Sequence, residues 1–269
     1  MESRACVFVD GENLRHSLIE VFREEALLTR NEYLPHAARW SDFFDWVVSS
    51  ATTDRCRRLR TYWFAIEAID FSPWALTHLN EGVVSKDVKR ALARHKRFQE
   101  RLRGRNADDL DHEMQRIVAQ LKASQRRIES RFQSWLSMQN SIAITQRAIE
   151  FRRAGAISFD LCEEKFGREK AVDVRLACDM VMLRETYDTA IIISGDQDYV
   201  PAAQILKDAG KTVINVVFKK RNQILLPGGA RRLNIVTDAS ISVPYDVLKT
   251  FMCLDKPNER VTTSAERAA

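Results

Sequence analysis

The chain has 269 residues, of which 45% are hydrophobic and 29% are charged, and its formal net charge is +5. No run of about 18 uncharged apolar residues occurs, so neither a transmembrane helix nor a membrane partner is predicted. The apolar run at the start of the N-terminal stretch CVFVDGEN is too short for a signal peptide, and acidic residues follow it directly. The five cysteines are scattered and lack CxxC spacing. We therefore expect a cytoplasmic protein with reduced thiols and neither a disulfide framework nor a zinc site.

The first predicted element is a buried strand, Cys6 to Val9, which ends in Asp10 and passes through Gly11, Glu12 and Asn13 into an amphipathic helix. Aspartate is a common helix N-cap, so this acidic turn by itself indicates a cap about as well as a ligand site. A second acidic turn later in the chain favours the ligand site.

Two elements rich in aromatic residues follow. A helix is predicted from Asp42 to Ala51, and a strand is predicted from Arg60 to Ile66, where the sequence RTYWFAI is aromatic and β-branched. We expect the aromatic residues of this strand to lie in the core rather than to stack on nucleobases.

A basic helical segment comes next. Residues 86–153 contain 17 Lys and Arg against 8 Asp and Glu, although the whole chain is only +5. A helix from Lys86 to Arg103, a turn from Gly104 to Asp108 and a long helix with an apolar seam predict a helical hairpin. A structural arm, a dimerisation coil and a nucleic-acid clamp explain this hairpin about equally well. The nucleic-acid-binding candidates on it are Arg126, Arg127 and Arg131.

The following elements carry two more aspartates. A strand is predicted from Gly155 to Cys162, then a charged loop from Glu163 to Lys170, then a helix. Asp173 lies in the first turn of this helix, where the helix dipole alone favours a carboxylate. Asp179 lies mid-helix among apolar residues, where an aspartate needs a partner. The two do not share a helix face, so Asp173 must sit at or before the first turn for both to reach one centre.

The stretch AIIISGDQDYVP, residues 190–201, organises the rest of the chain. It predicts a buried strand that ends at Ile193 and runs into Ser194, Asp196 and Asp198, before a helix that begins at Pro201. Ligands of open α/β sheets bind just beyond the carboxyl ends of strands. Two carboxylates this close repel each other unless a divalent cation or a shared proton compensates, so the function should be sought here.

The C-terminal part contains a predicted strand from Thr212 to Phe218 and a short strand candidate from Leu233 to Val236, which follows the basic pair Arg231 and Arg232. Strand and helix alternate, which predicts an α/β fold with a doubly wound, mainly parallel sheet of about five strands and an inserted basic helical hairpin. The predicted domains are 1–84 and 154–254 for the two parts of the α/β domain, 85–153 for the insertion and 255–269 for a disordered tail.

Motifs for the other common ligands of such folds do not occur in the sequence. The chain has no GxGxxG, no GxxxxGK followed by Ser or Thr, and no GxSxG. The turns instead offer carboxylates, whose oxygens suit Mg²⁺ or Mn²⁺, and such ions activate water and stabilise charge on a phosphate. This set favours phosphodiester hydrolysis, and its members are Asp10, Asp173, Asp196 and Asp198, with Asp179 nearby.

Three stretches carry a resemblance to a known family. The sequences VFVDGENL, KAVDVRLACDMV and IIISGDQDYVPAAQILKDAGKTVINVV, in that order, resemble the NYN family of PIN-like nucleases, the group that includes LabA-like proteins. The resemblance covers most of the chain outside the helical insertion. It implies a PIN-like α/β fold and metal-dependent cleavage of RNA. The acidic cluster that it implies is Asp10, Asp173, Asp196 and Asp198.

The same resemblance suggests supporting residues and shows two departures. It implies that Asn13 steadies the first turn, that Ser194 supports the last one, and that Asp179 is a metal ligand or a partner of a ligand. Such families often have Ser between the last two acids and Phe after them, where this chain has Gln197 and Tyr199. The family says nothing about the basic insertion.

The leading hypothesis is an endoribonuclease dependent on Mg²⁺ or Mn²⁺. Its basic hairpin, together with Arg231 and Arg232, holds the RNA backbone, and such phosphate contacts position a strand without reading its sequence. Transfer RNA, messenger RNA and single-stranded DNA all stay open as substrates. The second hypothesis is a non-catalytic nucleic-acid or protein adaptor that keeps the PIN-like fold and uses the long seam of the helical insertion to oligomerise, for example as a homodimer. Four retained acids argue against it, because negative charge facing phosphate gives a binding module nothing. A phosphatase with an Asp nucleophile needs a DxDx(T/V) turn, in which a second aspartate follows two residues after the first. After Asp10 this position holds Glu12, which is a poor substitute.

Overall fold

The structure is a computed structural model, and it describes residues 2–28, 33–52, 55–73, 84–226 and 231–254. The predicted tail, 255–269, lies outside these described residues. The strands are β1 (Ser3–Asp10), β2 (Cys56–Ser72), β3 (Ile149–Asp160), β4 (Lys165–Lys170), β5 (Thr189–Ile193), β6 (Thr212–Lys219), β7 (Leu225–Leu226) and β8 (Ala239–Val243).

The helices of the described part include a long one, α5, and several short ones. They are α1 (Gly11–Val21), α2 (Trp40–Ala51), α3 (Lys86–Arg94), α4 (Lys96–Leu102), α5 (Ala107–Thr145), α6 (Val172–Met182), α7 (Val200–Asp208), α8 (Arg231–Val236) and α9 (Tyr245–Met252). None of these helices is apolar over a stretch long enough to cross a bilayer.

The strands form one sheet in the order β4–β3–β2–β1–β5–β6–β7, with β8 beside β6. β1 pairs in parallel with β2 and β5, and β6 pairs in parallel with β5 and β8. β4 pairs antiparallel with β3, and β7 pairs antiparallel with β6. The prediction of a mainly parallel α/β sheet is confirmed. The predicted number of about five strands is wrong, because the described part has eight, and β4, β7 and β8 lack the long apolar run that marks a buried strand.

Two segments have a different structure from the one predicted. Residues Glu163–Lys170, predicted as a charged loop, contain β4, in which the Phe166 ring packs 4.8 Å from the Phe159 ring of β3. Residues Leu233–Val236, predicted as a strand, lie in α8. A four-residue segment with three apolar residues fits either a strand or a helix, and here the helix is formed.

The described residues within Met1–Phe64, Asn140–Arg152 and Leu176–Ala269 form a first compact unit. Its core contains β1, β5 and β6, and in β5 every side chain from Ala190 to Ile193 is 0% exposed. Burial on both faces explains why β5 is an unbroken apolar run without alternation. The predicted core position of the β2 aromatic residues is confirmed, since the fully buried Trp63 ring lies 4.8 Å from the Trp40 ring.

The described residues within Ala65–Gln139 and Arg153–Arg175 form a second compact unit. In it, helices α3, α4 and α5 pack with the end of β3 around one apolar cluster. The fully or almost fully buried members of this cluster include Leu92, Phe98, Ile117 and Leu161.

The structure of this second unit bears on two predictions. The long predicted helix is present as α5, but the predicted helix from Lys86 to Arg103 is divided into α3 and α4 at His95, whose backbone is extended. Much of the apolar seam of α5 is covered within its own unit. The homodimer through the insertion stays a prediction.

One glycine allows a close approach within the second unit. Gly155 of β3 has a φ of +63°, and a Cβ atom at this position would lie 1.8 Å from the carbonyl oxygen of Lys170. Both the backbone conformation and the lack of space therefore require glycine here.

Candidate active site

Strands β1 and β5 end side by side at one edge of the sheet. Val9 pairs with Ile193 in parallel register, so the residues that come next, Asp10 and Ser194, begin two neighbouring turns. Because both strands are buried, the core fixes the position of their ends. Two acidic turns that lie far apart in the sequence are thus neighbours at this edge.

Asp10 is 5% exposed, and protein groups donate to both of its carboxylate oxygens. The Asn13 backbone N–H donates to Oδ1 at 3.0 Å, which is the N-cap interaction of α1. The Ser194 hydroxyl donates to Oδ2 at 2.9 Å, and the Tyr199 hydroxyl donates to the same oxygen at 3.3 Å. These bonds offset the cost of burying the carboxylate. Asp10 is thus a helix cap and also a link to the turn that follows β5.

Ser194 and Asn13 connect the two turns. The Ser194 hydroxyl, which donates to Asp10, also accepts a hydrogen bond from the Asp196 backbone N–H at 3.0 Å. The Asn13 side-chain oxygen accepts from the Gly195 backbone N–H at 3.1 Å. The first and second acidic turns are therefore held in a fixed relation by side-chain hydrogen bonds.

Asp196 and Asp198 present carboxylates to solvent in the second turn. The Oδ1 atom of Asp196 accepts from the Asp198 backbone N–H at 2.9 Å, which caps the short helical turn Gln197–Tyr199. Asp196 is half-buried and Asp198 is exposed, and each offers a carboxylate oxygen within 4.8 Å of the other. Adjacent oxygen ligands of an octahedral Mg²⁺ lie about 3 Å apart, so a small side-chain rotation lets Asp196 and Asp198 bind one ion. Their all-oxygen chemistry fits Mg²⁺ or Mn²⁺.

Asp173 and Asp179 both belong to α6 and have different surroundings. Asp173 is half-buried in the first turn. Asp179 is 4% exposed, and its Oδ2 atom accepts from the Arg152 guanidinium at 2.6 Å. Arg152 also bonds to Glu150 at 3.0 Å and lies 4.1 Å from the centre of the Tyr62 ring. Arg152 is thus the partner that a buried mid-helix aspartate requires.

The basic candidates lie on two helices, α5 and α8. Arg126 and Arg127 are exposed on α5, and Arg127 donates to the Ser124 hydroxyl at 3.2 Å. Arg131 is half-buried, with its guanidinium 5.3 Å from the centre of the Trp135 ring. Two further candidates are exposed at the start of α8, namely Arg231 and Arg232.

Comparison with known proteins decides the family. The model of the NYN domain matches residues 80–226, which is more than half of the chain. The chain belongs to the NYN domain family. It is also similar to a crystal structure of a protein of unknown function from Vibrio parahaemolyticus, with 12% identity, coverage of 90% of this chain and 93% of that chain, and a TM-score of 0.39. No curated protein matches the chain.

NYN domains are generally nucleases and typically use divalent metals. The NYN match includes Asp173, Asp196 and Asp198 and begins after Asp10. The Ser194 and Tyr199 hydroxyls, both inside the matched region, donate to Asp10.

Two residues of the candidate active site are not identified from the sequence. The role of the Tyr199 hydroxyl is not predicted, because the comparison with the family indicates only that tyrosine stands where phenylalanine is common. Arg152 was missed because it lies 27 residues from Asp179, where no local spacing rule connects them. The position of Asp179 mid-helix among apolar residues indicates that it needs a partner, but not which residue supplies it.

Proposed function

We propose that this protein is a metal-dependent endoribonuclease that hydrolyses RNA phosphodiester bonds at the carboxyl ends of β1 and β5, on a PIN-like fold. The observation that carries the proposal is the two-way hydrogen bonding of Ser194. It ties the buried carboxylate of Asp10 to the turn that presents Asp196 and Asp198. Membership of a nuclease family gives this carboxylate arrangement its chemical interpretation.

Each residue of the site has a proposed role. Asp196 and Asp198 bind the ion directly, because their carboxylates are accessible and close together. The resemblance adds Asp10 and Asp173 to the catalytic ligand set. We assign Asp179 a supporting role, because its carboxylate is already bonded to a guanidinium. Asn13 and Ser194 keep the two acidic turns in register.

A bound Mg²⁺ or Mn²⁺ supplies Lewis-acid activation of water and stabilises charge on the scissile phosphate. The chain itself provides a rigid frame for the ligands, because the strand residues that lead into the two acidic turns, Val9 and Ile193, are fully buried. Rigid placement lets the carboxylates hold their geometry when the RNA phosphate, also negatively charged, enters the site.

The RNA backbone is held by arginines in this proposal. Exposed guanidinium groups on α5 and at the start of α8 support it, since such groups bind phosphate without reading sequence. The proposed contact residues are Arg126, Arg127, Arg131, Arg231 and Arg232. A cytoplasmic location belongs to the same proposal and is supported by the five free cysteines.

The activity is tested with a labelled, covalently closed circular RNA, which only an endonuclease can open. We expect cleavage with Mn²⁺ or Mg²⁺ and none with EDTA. The variants Asp196→Asn and Asp198→Asn should cleave at least about 100-fold more slowly, because each loses a metal ligand. The matched control is Asp246→Asn, which removes an exposed carboxylate from the first turn of α9 and should leave the rate unchanged.

A single-stranded DNA circle in the same assay compares the two substrate classes. Tight RNA binding without cleavage in any metal would replace the nuclease with the adaptor. Cleavage that persists in both Asp variants would mean that the reaction occurs elsewhere or comes from a contaminant. The loss of a bound Mn²⁺ signal in electron paramagnetic resonance on Asp196→Asn tests the ligand role without relying on activity.

RNA binding by α5 is tested separately with the triple variant Arg126→Gln, Arg127→Gln and Arg131→Gln. Three lost phosphate contacts should flatten the slope of log affinity against log salt by about 2. Unchanged affinity and slope would remove α5 from the RNA-binding surface.

A further inference from the structure

A second group of metal-binding side chains lies in the second unit, apart from the acidic turns. His95, Asp160 and Cys162 each offer one ligand atom, and these three atoms lie within 4.8 Å of one another. The sequence gives no hint of this group, because 65 residues separate the histidine from the aspartate, with no metal-binding motif between them.

His95 lies at the break between α3 and α4. Its backbone is extended there, and its Nε2 atom lies 3.2 Å from a carboxylate oxygen of Glu163. Among the described residues, its Nδ1 atom is buried and has no hydrogen-bond partner. A buried ring nitrogen without a partner is unfavourable, and metal coordination is one of the few ways to satisfy it.

Asp160 and Cys162 lie in the turn that joins β3 to β4. The Oδ1 atom of Asp160 accepts from the backbone N–H groups of Cys162 and Glu163, at 2.8 Å and 2.9 Å. Both bonds use the same oxygen, so the carboxylate is oriented while Oδ2 can serve as a ligand. The Cys162 side chain is 1% exposed and belongs to the apolar cluster of this unit. One wall of the group is therefore dry, and the turn is held by its own hydrogen bonds.

We propose that His95, Asp160 and Cys162 bind one Zn²⁺, with a water as the fourth ligand. Nitrogen, thiolate and carboxylate ligands in a four-coordinate arrangement are characteristic of zinc. With bond lengths of 2.0–2.3 Å, tetrahedral ligands lie about 3.3–3.8 Å apart, so a pair of ligand atoms at the 4.8 Å limit has to approach by about 1–1.5 Å. The thiol proton passes to solvent when the ion binds.

The site has a structural role. It fastens the break between α3 and α4 to the β3–β4 turn, and both belong to the second unit. A zinc ion there adds a cross-link between segments that are distant in sequence, and so it stabilises the folded unit over the unfolded chain.

The test uses Co²⁺ as a spectroscopic substitute for Zn²⁺ in the full-length protein, freed of metal by a chelator. The protein carries the double substitution Asp196→Asn and Asp198→Asn, so that the proposed nuclease site does not compete. We expect one Co²⁺ per chain with visible absorption of a tetrahedral complex and a thiolate-to-cobalt charge-transfer band in the near ultraviolet. Zinc should displace the cobalt and remove both signals.

The variants locate the ligands. Cys162→Ser should lose the charge-transfer band, and His95→Gln should weaken zinc binding more than about tenfold. The controls are Cys178→Ser and His112→Gln, which change exposed residues of the same types and should behave like the parent. Circular dichroism without metal checks that each variant is folded, and His95→Gln provides the test if the buried cysteine cannot be replaced.

Three results would overturn the proposal. They are the absence of stoichiometric binding in the parent, a charge-transfer band that survives in folded Cys162→Ser, and loss of the band in Cys178→Ser. Because the parent already lacks the Asp196 and Asp198 carboxylates, none of these outcomes depends on the nuclease proposal.

Discussion

Removal of the Ser194 hydroxyl tests the link between the two acidic turns. In Ser194→Ala the Asp10 carboxylate loses a donor at 2.9 Å, and the Asp196 backbone N–H loses its acceptor at 3.0 Å. A hydrogen bond to a charged group contributes about 1.5–3 kcal/mol and a neutral one about 0.5–1.5 kcal/mol. Because Ser194 is 2% exposed, water cannot readily replace either bond. We therefore expect the free energy of unfolding to fall by about 2–4 kcal/mol.

The assay is urea unfolding followed by circular dichroism, in the absence of divalent cations. The control, Ser49→Ala, removes an exposed hydroxyl from α2 and should change stability by less than about 0.5 kcal/mol. A double-mutant cycle with Asp10→Asn, which keeps an N-cap residue, should give a coupling of at least about 1 kcal/mol. A Ser194→Ala protein as stable as the parent, or a cycle without coupling, would refute the idea that this hydroxyl joins the turns.

Two further predictions concern ion pairs of the first unit. Arg152→Leu removes the guanidinium that pairs with the buried Asp179 carboxylate, and it should destabilise the fold by about 3 kcal/mol in urea unfolding. Adding Asp179→Leu to this variant should recover part of the lost stability. Equal stability of Arg152→Leu and the parent would contradict the prediction. The backbone N–H and guanidinium of Arg4 lower the pKa of Asp188, so this carboxylate stabilises the fold above the ordinary aspartate pKa, and the stability is lost as the pH falls through the lowered folded-state pKa. The difference in unfolding free energy between the parent and Asp188→Asn should therefore be constant near neutral pH and shrink below about pH 4. A difference that grows as the pH falls would contradict this prediction.

Elements buried on both faces could be predicted from the sequence. The apolar run of β5 is rich in β-branched residues and is followed by turn residues, which favours a central strand of a parallel sheet over a helix. The acids that follow it then fall at the ligand-binding edge. Strand β4 could not be predicted, because its sequence KFGREK has one apolar residue and depends on pairing with β3. Strand β8, with the sequence ASISV, likewise has a weak pattern of its own and pairs with β6.

Contacts between distant residues set the limit of prediction at the site. The acidic turns could be placed because each follows a strand directly. The bond from Tyr199 to Asp10 and the grouping of His95 with Cys162 depend on how separate elements pack, which no spacing along the chain records. A charged residue among apolar neighbours is therefore a better guide to such contacts than a motif, as Asp179 and its ion pair with Arg152 illustrate.

Gly155 has a practical consequence for genetics. Since a methyl group there would collide with a main-chain oxygen, every other amino acid at this position should reduce the yield of folded protein. In a library of single substitutions, an inactive clone changed at residue 155 thus reports misfolding and lower abundance. Variants at position 155 can accordingly serve as a reference for activity that is lost because little folded protein is present. Variants that are abundant but inactive then identify residues that are candidates for direct participation in the reaction.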